Sequence, residues 1–176
     1  MRPAGNSRWV LIYGDDSFVI NAFTYARKYA PANCKLFLND YNEYMPAKTN
    51  DIVNIANKLK QLRVVDGIGM QSHLDIVYPN SQVYNIALEK FLSTGLEVQI
   101  TELDITSNNE EAQALIYKEI FSITLKHADQ ILAVTLWGAH DNNSWRRNQN
   151  PLVFGDNYSP KKAYQSILEL VCDNFI

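Results

Sequence analysis

The chain has 176 residues, 47% of them hydrophobic and 20% charged, with a net charge of −3. That length and balance suit one globular domain with a sizeable core, so a single domain is expected over 1–176, with residues 1–8 as a tail. Lys and Arg occur only in short pairs such as Arg146-Arg147 and Lys161-Lys162, which argues against a nucleic-acid partner or an anionic membrane surface. No apolar stretch follows Met1-Arg2-Pro3-Ala4-Gly5-Asn6, so neither a signal peptide nor a membrane span is expected here. Cys34 and Cys172 lie far apart, match no metal spacing, and read as two buried thiols.

In chain order, the pattern alternates between two periods. Phe18, Ala22, Phe23 and Ala26 share a helical face, and the first strand is expected at Lys35–Asn39. A helix through Ile52, Ile55, Ala56, Leu59 and Leu62 leads to a strand at Gly67–Gln71. A third helix, with Val83, Ile86, Ala87 and Phe91, stops near Gly95 before a strand at Glu97–Thr101. The fourth carries Ala112, Leu115, Ile116, Ile120 and Ile123, and a strand follows at Ile131–Leu136. Ser159-Pro160 reads as the cap and first residue of a last helix through Ala163, Ile167, Leu168 and Val171. The strands start about 30 to 34 residues apart, the length of a strand plus a crossover helix, so the sheet is expected to be parallel. No glycine-rich phosphate loop follows any strand, which gives a nucleotide fold no support.

Chemistry gathers where the strands end. The four ends read Asn39-Asp40-Tyr41-Asn42, Gln71-Ser72-His73, Glu102-Leu103-Asp104 and Trp137-Gly138-Ala139-His140-Asp141. Strand alternation places Val98, Ile100, Glu102 and Asp104 on one face, which turns acidic where the strand stops. Burying carboxylates beside packed aliphatics is costly unless something satisfies or uses them. In a (β/α) barrel the strand ends surround one pocket. Amide, imidazole, carboxylate and indole groups there suit a carbohydrate: the polar groups bond hydroxyls, and the rings pack on apolar sugar faces.

The segments NDYN (39–42), QSH (71–73), ITELD (100–104), WGAHDNNSWR (137–146) and PLVFGDNYSPKKAY (151–164) resemble glycoside hydrolase family 10, the endo-1,4-β-xylanases. The resemblance runs from about Trp9 onward, with His140 and Lys162 as small departures from the family's pattern. It implies the α/β fold of a TIM barrel, strands five to eight only, and a retaining hydrolysis of xylan or xylo-oligosaccharides without a cofactor. It further implies that Glu102 is the nucleophile, that His73 hydrogen-bonds it, and that Asp104 orients His73. Asn39, Tyr41 and Gln71 match cleft-lining positions, while Trp137 and Trp145 match the indoles that wall the cleavage subsite. The family's general acid/base Glu belongs to a strand that the resemblance places upstream of Met1, so this chain alone is expected to be inactive or weak. Secretion is implied by the family.

Plainer readings stand beside these. A lone histidine is more often structural than functional, although the strand-end setting of His73 favours a role. His127 sits in the last turn of a helix, where it suits the dipole and needs no function. His73, Asp75, His140 and Asp141 lack any metal-ligand spacing, and Asp141 reads as a loop-organising acceptor. Trp9, Phe18, Phe23, Phe91 and Phe121 read as packing, and Glu43, the spare Glu near NDYN, as a loop residue outside the catalytic pair rather than a substitute acid. A half barrel would leave two open sheet edges, so a homo-oligomer or capture of an N-terminal half is expected. A non-catalytic xylan-binding or assembly module is the alternative function.

Overall fold

The apolar runs form strands and the 3.6-residue patterns form helices in the computed structural model, which describes residues 7–175. The order is α1 (Arg8–Tyr13), α2 (Ser17–Tyr29), β1 (Phe37–Asp40), α3 (Pro46–Gln61), β2 (Gly67–Met70), β3 (His73–Asp75), α4 (Ser81–Leu92), β4 (Glu97–Thr106), α5 (Glu110–Lys126), β5 (Ile131–Leu136) and α6 (Lys162–Phe175). Single 3-10 turns at Asp141–Asn143, Arg147–Gln149 and Asp156–Tyr158 lie between β5 and α6. Residues 1–6, where a leader was sought, and the side chain of Val171 lie outside the described residues.

Every pairing within the sheet is parallel, which is why helices must carry the chain back between strands. β2 lies between β1 and β4, with Asn39 opposite Gly69 and Gly69 opposite Gln99. β5 lies on the far side of β4. Local signals start the helices: Pro46 opens α3, while Asn80 and Asn109 accept backbone N–H bonds at the starts of α4 and α5. Ile68, Met70, Val98, Ile100, Leu103 and Ile105 pack against Tyr84, Leu88 and Phe91 of α4 and Tyr117 and Ile120 of α5. The other face carries Asn39, Thr101 and Glu102, along with Phe37 beside Gly67.

A β-bulge in β4 overturns the expectation that the aliphatics and carboxylates share a face. Met70 pairs with Ile100, whereas His73 pairs with Asp104, so β4 holds one more residue than its neighbour over that interval. The pairing with β5 slips between Ile100 and Leu103 as well. One extra residue reverses the alternation. Val98, Ile100, Leu103 and Ile105 therefore all face the helices, while Thr101, Glu102 and Asp104 turn to the opposite side. β4 also runs five residues beyond the expected Thr101, because β3 pairs with its extension from Asp104 to Thr106. β3 is a short resumption of β2 after a break at Gln71-Ser72, where Ser72 is left-handed (φ 60°).

Other expectations need correction. Pro160 does not begin α6. It pairs with Phe154 in an antiparallel bridge, and the helix starts at Lys162. Trp9 is 59% exposed on the unanticipated helix α1, where it stacks on Phe18 at 6.3 Å between ring centroids. Cys34 and Cys172 are both exposed rather than buried: Cys34 lies in the loop between α2 and β1, and Cys172 on α6. No residue of α1 or α2 is fully buried, and β5 has no buried residue either.

Candidate active site

Asn39, at the end of β1, crosses over Gly69 of β2 to reach β4. A Cβ at position 69 would lie 2.6 Å from Asn39 Oδ1 and 3.0 Å from Thr101 Cγ2, so the missing side chain is what lets Asn39 pass. Asn39 Nδ2 donates to Glu102 Oε1 at 2.8 Å, and Asn39 Oδ1 accepts from Thr101 Oγ1 at 2.8 Å. Thr101 thereby fixes which end of the amide meets the carboxylate.

His73 faces the other carboxylate oxygen as a charge partner, with Nε2 3.3 Å from Glu102 Oε2. Its buried Nδ1 lies 3.1 Å from Asp104 Oδ1, too far off line for a well-formed hydrogen bond, so charge more than direction binds these two. Burial is the strongest influence on the imidazole and opposes its charge. The combined pull of Asp104 and Glu102 outweighs it and carries the His73 pKa above the usual value.

Asp104 is fully buried and anchors three groups. Oδ2 accepts from Trp145 Nε1 at 2.9 Å, and Oδ1 accepts from Arg146 Nη1 at 2.8 Å besides facing His73. Arg146 also donates to Leu74 O at 3.0 Å and, through Nη2, to Thr106 Oγ1 at 3.1 Å. Trp145 lies edge-on to His73 with centroids 5.0 Å apart, and Trp137 does so at 6.3 Å. A cleft of about 510 Å³ opens here, lined by Tyr41, Gln71, His73, Trp137, Trp145 and Arg146. Trp137 is 46% and Trp145 65% exposed, so indole surface is available to a ligand. Lys48 Nζ sits 4.3 Å over the Tyr41 ring, fixing that side chain on the cleft's other flank.

The structure thus brings Asn39, His73, Glu102, Asp104 and Trp145 into one cluster, with Tyr41, Gln71 and Trp137 on the same cleft. Arg146, Thr101 and Gly69 were missed. Arg146 follows Trp145 and looks like any loop cation, Thr101 like any strand residue, and Gly69 like a flexible one. Asp141 lies outside this cluster: it accepts from Leu152 N and from Lys161 Nζ at 2.8 and 2.9 Å and organises the loop after β5. An oriented carboxylate beside a ring-walled cleft of this size is suited to attack or bind a sugar.

The fold is a segment of a parallel (β/α) barrel, and its strand ends carry a carboxylate held beside a ring-walled cleft. The family profile described as glycosyl hydrolase family 10 matches residues 2–170, and the chain belongs to that family. It is 64% identical over 170 residues to the bifunctional endo-1,4-beta-xylanase XylA of Ruminococcus flavefaciens, covering 97% of this chain and 18% of the relative. Among solved structures, the CBM22-1–GH10 modules of Clostridium thermocellum xylanase 10B, complexed with xylohexaose, superpose with a TM-score of 0.87 at 44% identity. That match covers 93% of this chain and 34% of the other. The intracellular xylanase TsXylA of Thermoanaerobacterium saccharolyticum gives a TM-score of 0.84 at 37% identity, covering 92% of this chain and 52% of its own. The chain therefore spans between about a third and about half of these solved chains, and less than a fifth of the R. flavefaciens protein.

Proposed function

We propose that the chain carries the nucleophile side of a retaining endo-1,4-β-xylanase site that acts on xylan or xylo-oligosaccharides. One observation supports this above the rest: Asn39 bonds one oxygen of Glu102 and His73 faces the other, at a cleft walled by exposed indoles. In the proposed reaction a Glu102 oxygen attacks the anomeric carbon as the glycosidic C–O bond breaks, and water later hydrolyses the glycosyl ester. The departing sugar oxygen needs a proton from a second carboxyl about 5 to 5.5 Å away. Asp75 lines the cleft but accepts from Thr106 Oγ1 and Val77 N, while Asp104 and Glu43 are fully buried and shut off from a ligand. We therefore assign the acid to a group outside the described residues.

Without general acid help, hydrolysis falls by roughly 10²–10⁴-fold, most for a poor leaving group such as a sugar hydroxyl. Turnover of an aryl β-xyloside that disappears in Glu102→Ala, with xylan hydrolysed weakly or not at all, is the expected result for this chain alone. Equal turnover of both substrate types would contradict the missing acid.

A binding or assembly role is the second reading, favoured by exposed apolar side chains: Leu11 and Ile12 are each 72% and Leu132 is 51% exposed. Light scattering that gives a dimer or larger species supports assembly, and a monomer opposes it. Xylo-oligosaccharide binding that survives Glu102→Ala without turnover supports a binding module. Secretion remains a proposal from the family, and TsXylA, described as intracellular, means that the family alone does not fix the compartment. Among the described residues no helix is long and apolar enough to cross a membrane.

A further inference from the structure

Glu43 follows the cleft-lining loop at the end of β1 and precedes α3, where a carboxylate would ordinarily point into water. Instead it is fully buried. Its Oε1 accepts from both the backbone N–H and the hydroxyl of Ser72, at 2.9 and 3.0 Å. Tyr84 of α4, also fully buried, places its phenol 2.8 Å from the same hydroxyl. Ser72 donates to Glu43 and so is left to accept from Tyr84, giving a chain from α4 through β2–β3 to the loop. The residue so gripped is the left-handed one at the break between β2 and β3, where a non-glycine backbone is disfavoured without support. Its neighbours are Gln71 and His73, both on the cleft.

We propose that Glu43 is a positioning residue: by clamping Ser72 at two points it sets the break that aims the His73 imidazole at Glu102 and Asp104. This rests on the reading of His73 as the group that orients Glu102, but the clamp can be tested without any turnover. Burial pushes the Glu43 pKa up to about 7, against the opposing effect of its hydrogen bonds. Its Oε2 is buried with no partner, so an ionised carboxylate would bring charge into a dry site. The clamp therefore works with the neutral acid, and a glutamine, which keeps the acceptor, can replace it. The titratable and charged groups around His73 are Glu102 and Asp104 of β4, Arg146, which shares Asp104 Oδ1 with it, and Glu43 itself. Those around Glu43 are His73, Tyr44 and Tyr84.

The test is a pH titration of the ring nitrogens by long-range ¹H–¹⁵N NMR on the whole chain. Its three histidines allow His73 to be assigned with His127→Gln and His140→Gln. At pH 6, Glu43→Gln is expected to leave the His73 ring signals where they are in the unaltered protein. Glu43→Ala is expected to move them and lower the His73 pKa toward the ordinary value. A second, smaller inflection near pH 7, from Glu43 itself, is expected in the unaltered protein and absent from Glu43→Gln. His73 signals and pKa unchanged in a folded Glu43→Ala would overturn the proposal, as would a Glu43→Gln that behaves like alanine. If Glu43→Ala does not fold, Ser72→Gly carries the test. It deletes the clamped hydroxyl yet tolerates the left-handed backbone, and signals that stay in place there would overturn the clamp as well. Xylan activity is read separately, so a chain that is silent on xylan leaves this result intact.

Discussion

Replacing Asp104 with asparagine should unsettle the whole cluster without changing its shape. The carboxylate is fully buried and faces Arg146 Nη1 at 2.8 Å, Trp145 Nε1 at 2.9 Å and His73 Nδ1 at 3.1 Å. Breaking a buried ion pair costs about 3–5 kcal/mol. The amide that Asp104→Asn introduces would retain one acceptor, and Arg146 would keep its bonds to Leu74 O and Thr106 Oγ1, so the loss should lie at the lower end, about 3 kcal/mol. At about 2–4 °C per kcal/mol for a chain of this size, the melting temperature should fall by about 6–12 °C. The drop should also depend on pH. His73 has its pKa raised in the fold, so its contribution is full below the unfolded value and is lost as pH rises through the folded one. Asp104 supplies part of that raising, so the gap between the two proteins should be wider at pH 6 than at pH 8.5. Glu43, whose raised pKa makes it lose stability as pH climbs toward about 7, is present in both and cancels in the difference. Calorimetric melts at the two pH values provide the comparison. A fall below about 2 °C would refute the energetic role of the pair, and an equal fall at both pH values would refute its coupling to His73.

Gly69→Ala should push Asn39 off Glu102, since the new Cβ would lie 2.6 Å from Asn39 Oδ1. Losing that charge-assisted bond is worth about 1.5–3 kcal/mol, so labelling of Glu102 by an activated xyloside should slow by about 10- to 150-fold. The same change made on Asn39→Ala should add nothing, and an additive effect would refute the route. Trp137→Ala should weaken xylotetraose binding by about 0.5–1.5 kcal/mol in a calorimetric titration, the worth of one ring face. Lys161→Ala should lower the melting temperature by about 6–20 °C, because Lys161 and Asp141 form a pair with 7% side-chain exposure on each partner. Lys162→Ala, in an exposed pair with Glu111, should leave the melt unchanged.

The four principal strands and the helices between them were legible because their periods differ and their lengths fit crossover units. β5 has the bounds expected of it, and β2 ends one residue early. From the residues alone the cluster around Glu102 was legible only as a set of residue types near strand ends, and the contacts among Glu102, His73 and Asp104 came from the family resemblance. The cluster's geometry was not legible, because the bulge in β4 comes from pairing with two neighbours and leaves no local mark in Glu97–Thr106. An unbroken alternation puts Glu102 with Val98 and Ile100, and the inserted residue puts it opposite them. The roles of Arg146 and Glu43 were not legible although both adjoin site motifs, because burial of a charged side chain depends on what folds over it. Trp9 misled in the other direction, since an aromatic at a helical period looks like core wherever it lies.

Intact-mass spectrometry after incubation with an activated 2-fluoro xylobioside puts the assignment of Glu102 to the proof. That reagent requires an aimed nucleophile and little acid assistance, so it reads this side of the site by itself. A single covalent adduct, mapped to Glu102 by peptide sequencing and absent from Glu102→Gln, is the predicted result. A folded protein that takes no adduct, or takes it on another residue, would contradict the assignment of Glu102 as nucleophile.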